Sequence, residues 1–388
     1  MNIEIQTYSI TRNAGGVFDA VKDLFTNKAF NKHNLEIISY LDDKVEEDKN
    51  AWNDIPLRLF QPGWGLYSKE ARQTLLNSNA DILHMETLWR IPQLWMTDWR
   101  KRQKGPIVCS PHGMLDPWII QNQGFVKRII AKLFFQKSLE NVTCYHALCP
   151  KELEDIRNYG LKQPIAIIPN GINLPDDNTR ERINSMVSND SKVKHLLYLG
   201  RLHEKKGVDI LLYAIAEIRK ESPELLDDWQ IDLVGWDDEG CRAKLEKICD
   251  DNHLDNVVFH GGKYGDQKLL MYAQASAYVL PSHGEGLPMT VLEAWAWHLP
   301  VIMTPQCHLP EGYNVDAAIC IEDNVESCKE GLKKILLMSD DERKAMGYRG
   351  YNLVTKDFTW DASAKKMIEV YEWLLGKREI PNCVYLCK

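Results

Sequence analysis

The stretch KHLLYLGRLHEKKGVDILLYAIAEIRK, residues 194–220, decides the fold. KHLLYLG is a short apolar run of strand length. LHEKKG is a polar turn carrying Lys206 and closing on Gly207. GVDILLYAIAEIRK has the spacing of a helix buried along one face. Strand, glycine-bearing turn and helix in this order make one half of a βαβ unit. A second copy of the pattern lies at PSHGEGLPMTVLEAWAWHLPVI (281–302). The apolar run ASAYVLPS (275–282) leads into it and ends in SHGEG, and Pro288 suits the first position of the next helix. The amides from Gly286 through Leu287 and Thr290 to Val291 then form a helix N-terminus, where oriented N–H groups and the helix dipole favour an anion. Glu285 and Glu293 flank it and would repel a bare phosphate. The ligand this motif suits carries hydroxyls as well as phosphate. Solvated surface charges are the plain alternative for both glutamates.

Working outward, short apolar runs alternate with helical patterns along the whole chain. The first half gives NIEIQTY, NLEIISY, ADILHME, PIVCSPH, CYHALCP and PIAIIPN. The second gives KHLLYLGR, WQIDLVGW, NVVFHGG, ASAYVLPS, PVIMTP and AAICIE. Repeated β-α alternation predicts α/β architecture: two Rossmann-like, doubly wound parallel-sheet domains facing a cleft. The domains would span 1–172 and 193–357, with the polar stretch 173–192 as a linker.

Composition narrows the classes. The chain has 388 residues, 44% hydrophobic, and a formal charge of −8, which argues against a general nucleic-acid binder. No apolar run approaches the roughly 20 residues of a membrane-spanning helix. The opening MNIEIQTYSI reads as a strand, not a signal sequence. The ten cysteines form no C-x-x-C pair and read as reduced, buried thiols, so a cytoplasmic location is expected.

Arg201 and Lys206 place two cations at the end of one strand, an arrangement a diphosphate requires. Gly15 and Gly16 follow the first strand, where missing side chains let a ligand approach the backbone; a plain tight turn is the equal alternative. His112, in VCSPHGMLDPW, follows a buried strand and falls at its carboxyl end. No two aspartates are separated by one residue and no His/Cys/Asp cluster has zinc spacing, so no metal and no cofactor is expected.

Together these stretches resemble the retaining glycosyltransferases of family 4 (group 1), which have the GT-B fold. The resemblance covers nearly the whole chain: GG after the first strand, DILHMETLW, SPHGMLDPW, IIPNGI, YLGRLHEKKG, LPVIMTP and GEGLPMTVLEA with its E-x7-E spacing. It implies that Arg201 and Lys206 hold the diphosphate of a UDP- or GDP-sugar donor. It implies that Glu285 and the amides after it meet the donor sugar, and that Glu293 binds the ribose. The loop 260–265, with Lys263, would line the base, and the His112 loop would close over the sugar. The segment 358–388 would return to the first domain. Such relatives build cell-surface polysaccharide, lipopolysaccharide or exopolysaccharide on glycan or lipid-linked acceptors. A nucleotide-sugar epimerase or a non-catalytic sugar-nucleotide binder of the same fold is the alternative.

Two positions depart from the pattern. His298 stands where relatives usually have glycine after the E-x7-E helix, and Glu86 where they often have a second histidine. A final expectation concerns the membrane. Residues 90–137 hold nine Lys/Arg and two acidic residues, a local +7. FVKRIIAKLFFQK (125–137) interleaves Lys127, Arg128, Lys132 and Lys137 with apolar residues, and Trp95 and Trp99 flank WRKRQK. An anionic membrane surface is therefore an expected partner, with the protein peripheral at the cytoplasmic face.

Overall fold

The computed structural model describes residues 1–86, 88–117, 120, 134–187, 193–238 and 240–387. It divides into two compact units, Met1–Gly171 with Trp360–Lys388, and Ile172–Thr359.

The first unit is built on an eight-stranded sheet. In chain order its strands are β1 (Asn2–Gln6), β2 (Asn34–Tyr40), β3 (Leu57–Phe60), β4 (Ile82–Met85), β5 (Ile107–Cys109), β6 (Cys144–Ala147), β7 (Ile165–Ile167) and, from the C-terminus, β14 (Val384–Tyr385). Across the sheet they run β14-β7-β6-β5-β4-β1-β2-β3. All pairings are parallel except β14 on β7. Alternating strand residues feed two cores. Ile3, Ile5 and Val108 pack on one face with the helices Gly16–Phe25 and Trp360–Leu374. Leu83, Cys109 and Tyr145 pack on the other with the helices Lys69–Leu76 and Trp95–Gln103. Burial on both faces is why these strands read as continuous apolar runs.

The second unit carries β8 (Lys194–Leu199), β9 (Trp229–Val234), β10 (Val257–Gly261), β11 (Ala277–Leu280), β12 (Val301–Met303) and β13 (Ala318–Cys320). They form a parallel sheet in the order β10-β9-β8-β11-β12-β13. The helix Val208–Glu221 crosses from β8 as the 194–220 reading requires. The strand order of each sheet reverses once, between β1 and β4 in the first and between β8 and β11 in the second. At such a switch point neighbouring crossovers leave to opposite faces, and a crevice opens beyond the strands' carboxyl ends.

The stretch 173–192, expected as a linker, contributes a helix at Asp177–Asn184. Asp176 caps it, Ile183 is buried in the second core, and Arg180 donates to the Ala296 carbonyl. One buried isoleucine and one long arginine dock a stretch whose polarity otherwise suggests a tether.

Candidate functional site

The second unit's switch point is made by two loops that grip each other. After β8, Tyr198 OH donates to the Arg201 carbonyl at 2.8 Å, and the guanidinium of Arg201 reaches Asp238 at 2.9 Å. A single turn, Glu204–Lys206, ends on Gly207 at φ +66°; a Cβ there would lie 2.1 Å from the Pro281 carbonyl oxygen. Only glycine allows that approach. It brings the post-β8 loop onto the post-β11 loop, where Ser282 Oγ and the His283 amide both donate to the Lys205 carbonyl, at 3.0 and 2.9 Å. Lys206 Nζ then meets both oxygens of Glu285, at 2.7 and 2.8 Å. Two of the expected site residues thus pair and neutralise each other.

The next helix runs Met289–Ala296, with Pro288 as its extended N-cap, one residue earlier than the sequence reading placed it. Gly286 has open space where a Cβ would be, and Leu287 packs partly buried against the core. First-turn N–H groups have no acceptor within a helix. Val291 is the exception here, because its N–H bonds to the Pro288 carbonyl at 3.0 Å and its side chain is fully buried. Tyr278 OH, from β11, lies 2.7 Å from Thr290 Oγ1 and 3.1 Å from the Leu199 carbonyl, so one hydroxyl ties the helix start to the end of β8. Burial raises the Tyr278 pKa far above its usual value, and it stays a neutral donor. Glu293, deeper in the helix, accepts from Lys268 Nζ at 2.6 Å and Tyr272 OH at 2.8 Å. At the helix's far end His298 takes the left-handed conformation at φ +58°. Its ring stacks on Tyr351 with centroids 4.1 Å apart, which offsets the strain of a non-glycine residue. Lys263 lies after β10, two strands from β8, and no hydrogen bond among the described residues joins it to this cluster.

The first unit's switch point carries a more deeply buried polar network than the second's, where Arg201 is exposed and the Lys206 and Glu285 side chains are 18% and 10% exposed. Gly15, at φ +58°, starts the helix Gly16–Phe25, and a Cβ on Gly15 or Gly16 would meet nothing within 4 Å. The loop before them is pinned from below: Ser9 and Thr11 donate to Asp42 at 2.7 and 2.8 Å, the Arg12 amide bonds to Asp48, and Trp52 Nε1 holds the Ile10 carbonyl. Beside it, Glu86 follows β4 and is 1% exposed. Its two oxygens lie 2.7 Å from His112 Nε2 and 3.3 Å from His84 Nε2. His84 bonds on to Ser110 Oγ at 2.7 Å and pairs with Tyr371 OH of the C-terminal helix. Ser110 continues to His146 at 2.8 Å, and His146 to the Ile168 carbonyl. Glu152 accepts from the Gly113 and Leu148 amides at 2.6 and 2.7 Å, fixing the turn that holds His112. Burial lowers the His146 pKa to about 4 and also lowers that of His84. Burial alone would raise Glu86, but the neighbouring histidines outweigh it and hold the carboxylate at about 2.

His84, Ser110, His146, Glu152 and Asp238 were not among the expected site residues. A polar residue inside an apolar run, as in ILHM and CYHA, was the available signal for the two histidines.

Of the expected membrane patch, Lys127, Arg128 and Lys132 lie outside the described residues. The flanking aromatics are core residues instead: Trp95 and Trp99 are buried under β4 and β5, and Trp99 Nε1 donates to Ser78 Oγ. Arg100 is spent on the Thr143 hydroxyl at 2.7 Å. Most cysteines are buried, but Cys320 and Cys387 are exposed, against the expectation for AAICIE. Among the described residues, no His/Cys/Asp/Glu group is gathered as a metal site, and no helix is long and apolar enough to cross a membrane.

Residues 14–175 match the family model described as Glycosyltransferase Family 4, and residues 179–353 match that of Glycosyl transferases group 1. The chain belongs to the group 1, family 4 glycosyltransferases. An uncharacterised glycosyltransferase of Methanocaldococcus jannaschii is 27% identical over 69% of this chain and 69% of its own length. A second from that organism is 28% identical over 65% of this chain and 63% of its own. D-inositol 3-phosphate glycosyltransferase of Salinispora tropica is 26% identical over 45% of this chain, the match spanning 37% of its length. The fold of this glycosyltransferase is GT-B, with two Rossmann-like domains. It is similar to that of Anabaena HepE in complex with UDP (TM-score 0.73, 14% identity, 96% and 100% coverage) and to Thermosynechococcus elongatus sucrose-phosphate synthase (0.67, 20%, 97% and 100%).

Proposed function

We propose that this glycosyltransferase moves a sugar from a nucleotide-diphosphate sugar to a hydroxyl acceptor, with retention of configuration and without a metal ion. The observation that carries the reading is the grip of the post-β8 loop on the post-β11 loop. It holds Arg201, Lys206, Glu285 and the helix start at Met289 together at one switch point. A diphosphate entering there takes Lys206 from Glu285 and meets Arg201 and the first-turn amides. Glu285, released, accepts hydrogen bonds from sugar hydroxyls, and Glu293 accepts from the ribose. In the transfer step the acceptor oxygen bonds to the anomeric carbon as the carbon–phosphate-oxygen bond breaks. The departing phosphate oxygen takes the acceptor's proton. Cations and dipoles preset where that charge develops supply the stabilisation.

UDP-sugars are the first donors to test, since HepE has structures with UDP and with UDP-glucose. The acceptor in this reading is a glycan or a lipid-linked sugar of a cell-surface or exopolysaccharide chain, met at the cytoplasmic face of the membrane. The test is a thermal-shift and hydrolysis screen over UDP-, GDP- and ADP-sugars, with and without excess EDTA. One nucleotide class should raise the melting temperature and release its diphosphate equally in both. Turnover that EDTA abolishes and magnesium or manganese restores contradicts the metal-free step, and no response to any nucleotide sugar contradicts the reading as a whole.

A further inference from the structure

We infer that Glu86 is a positioning residue for His112: it turns Nε2 of the imidazole inward and leaves Nδ1 as the nitrogen offered to a ligand at the carboxyl end of β5. The inference deepens the proposed function, resting on that reading for the ligand though not for the pairing itself.

Three observations carry it. Glu86 stands at the first sheet's switch point, where β4 adjoins β1, and its carboxylate is all but sealed from solvent. Such a buried charge persists only when its oxygens are paired. One oxygen is given to His112 Nε2 at 2.7 Å and the other faces His84 Nε2 at 3.3 Å. His84 is itself fixed by Ser110 and Tyr371, so the Glu86 carboxylate is held between two imidazoles, with its one hydrogen-bonded ring being His112. Finally, His112 sits at φ +50°, a strained conformation for a residue with a side chain, held by the Glu152–Gly113 bond on its far side.

The charged groups that face His112 fix its protonation. Burial favours the neutral ring, but the hydrogen bond and charge of Glu86, with Glu152 adding to it, raise its pKa above the ordinary value. His84 and His146 in the same network stay neutral through burial and do not cancel this. Once protonated, His112 presents an Nδ1–H donor to a sugar hydroxyl or phosphate oxygen. A second histidine at position 86, as relatives often have, would present the same ring without a counter-ion.

The test uses the full chain in two variants, Glu86→Gln, which keeps shape and one acceptor, and Glu86→His. Histidine NMR titration reads His112 directly, and the pH profile of donor turnover reads its use. His112 should titrate lower in each variant, and the basic limb of kcat should move down with it, a loss of about tenfold on that limb with little change in donor KM. A His112 titration unmoved in whichever variant folds overturns the inference, even if no donor is ever found. A moved titration with an unmoved turnover profile overturns the role in catalysis.

Discussion

The two switch points share one sheet order and differ in nearly everything else. In the second unit, two cations and a carboxylate (Arg201, Lys206, Glu285) sit on loops latched by backbone bonds. In the first, His84 and His146 lie on β4 and β6, Glu86 and His112 lie just beyond β4 and β5, and their side chains join in a buried polar chain. The loop-borne arrangement can exchange internal ion pairs for a ligand's charges. The buried one cannot exchange partners cheaply, because each polar atom it frees is left without water. The first suits binding a charged group that comes and goes, the second holding one ring in a fixed direction.

The latch is where the contrast breaks most severely. Gly207→Val should cost about 3 kcal/mol or more in the second unit, since its Cβ would strike the Pro281 carbonyl at a positive φ. Hydrogen exchange should show the loops 200–207 and 281–288 unprotected while the first unit stays as it was. Protection unchanged in those loops would mean that the grip is not set by this glycine.

Acid should separate the units next. His146 binds its proton at about 4 when folded and near 6.5 when unfolded, so the unfolded state takes up more protons in that window. Stability of the first unit therefore falls as pH drops from about 6.5 to 4, by about 3 kcal/mol from this residue alone. His84 acts in the same direction. The Glu86 contribution is lost only below the ordinary carboxylate range, as pH falls toward 2. In the second unit the buried Asp232 has a lowered pKa, held down against burial by His195, Gln230 and His260, so its contribution also survives to lower pH. Exchange at pH 5 should open the first unit before the second; the reverse order would contradict the account of the histidine chain.

A smaller effect tests how the loop-borne site is braced. Tyr278→Phe removes the hydroxyl between Thr290 and the Leu199 carbonyl and should cost about 1–2 kcal/mol, with a weaker nucleotide affinity. Tyr371→Phe should cost a similar amount but act in the first unit, by freeing His84. If both changes weaken nucleotide binding equally, the division of labour drawn here fails.

The least effect is expected at the membrane. With Trp95 and Trp99 in the core, the exposed Lys101, Arg102, Lys104 and Lys137, together with Lys127, Arg128 and Lys132, are left to carry binding to anionic vesicles, about 1 kcal/mol each and salt-sensitive. Co-sedimentation at low salt that ignores Lys127→Glu and Lys132→Glu would remove the membrane from the account.

Much of this fold could be read in the sequence because parallel strands covered on both faces are written as apolar runs. Both short strands that escaped, LRLF at β3 and VY at β14, lie at the sheet's edges, where half-buried residues give no such run. The cation and glutamate loops were legible because each motif is local: Gly207 stands beside Lys206, and Gly286 beside Glu285. The Glu86–His112 pair was not, because 26 residues separate its members and only the adjacency of β4 and β5 joins them. Asp238 escaped for the same reason, meeting Arg201 across β8 and β9.

The central claim is that the post-β8 and post-β11 loops bind a nucleotide diphosphate through Arg201 and Lys206. Calorimetry of UDP, GDP and ADP, alone and as their sugars, on the wild type and on the Arg201→Ala, Lys206→Ala double variant tests it directly. The account predicts that one nucleotide class binds the wild type and that the folded double variant loses about a hundredfold or more in affinity and turnover. Equal binding by both proteins, or none of these nucleotides binding the wild type, would contradict it.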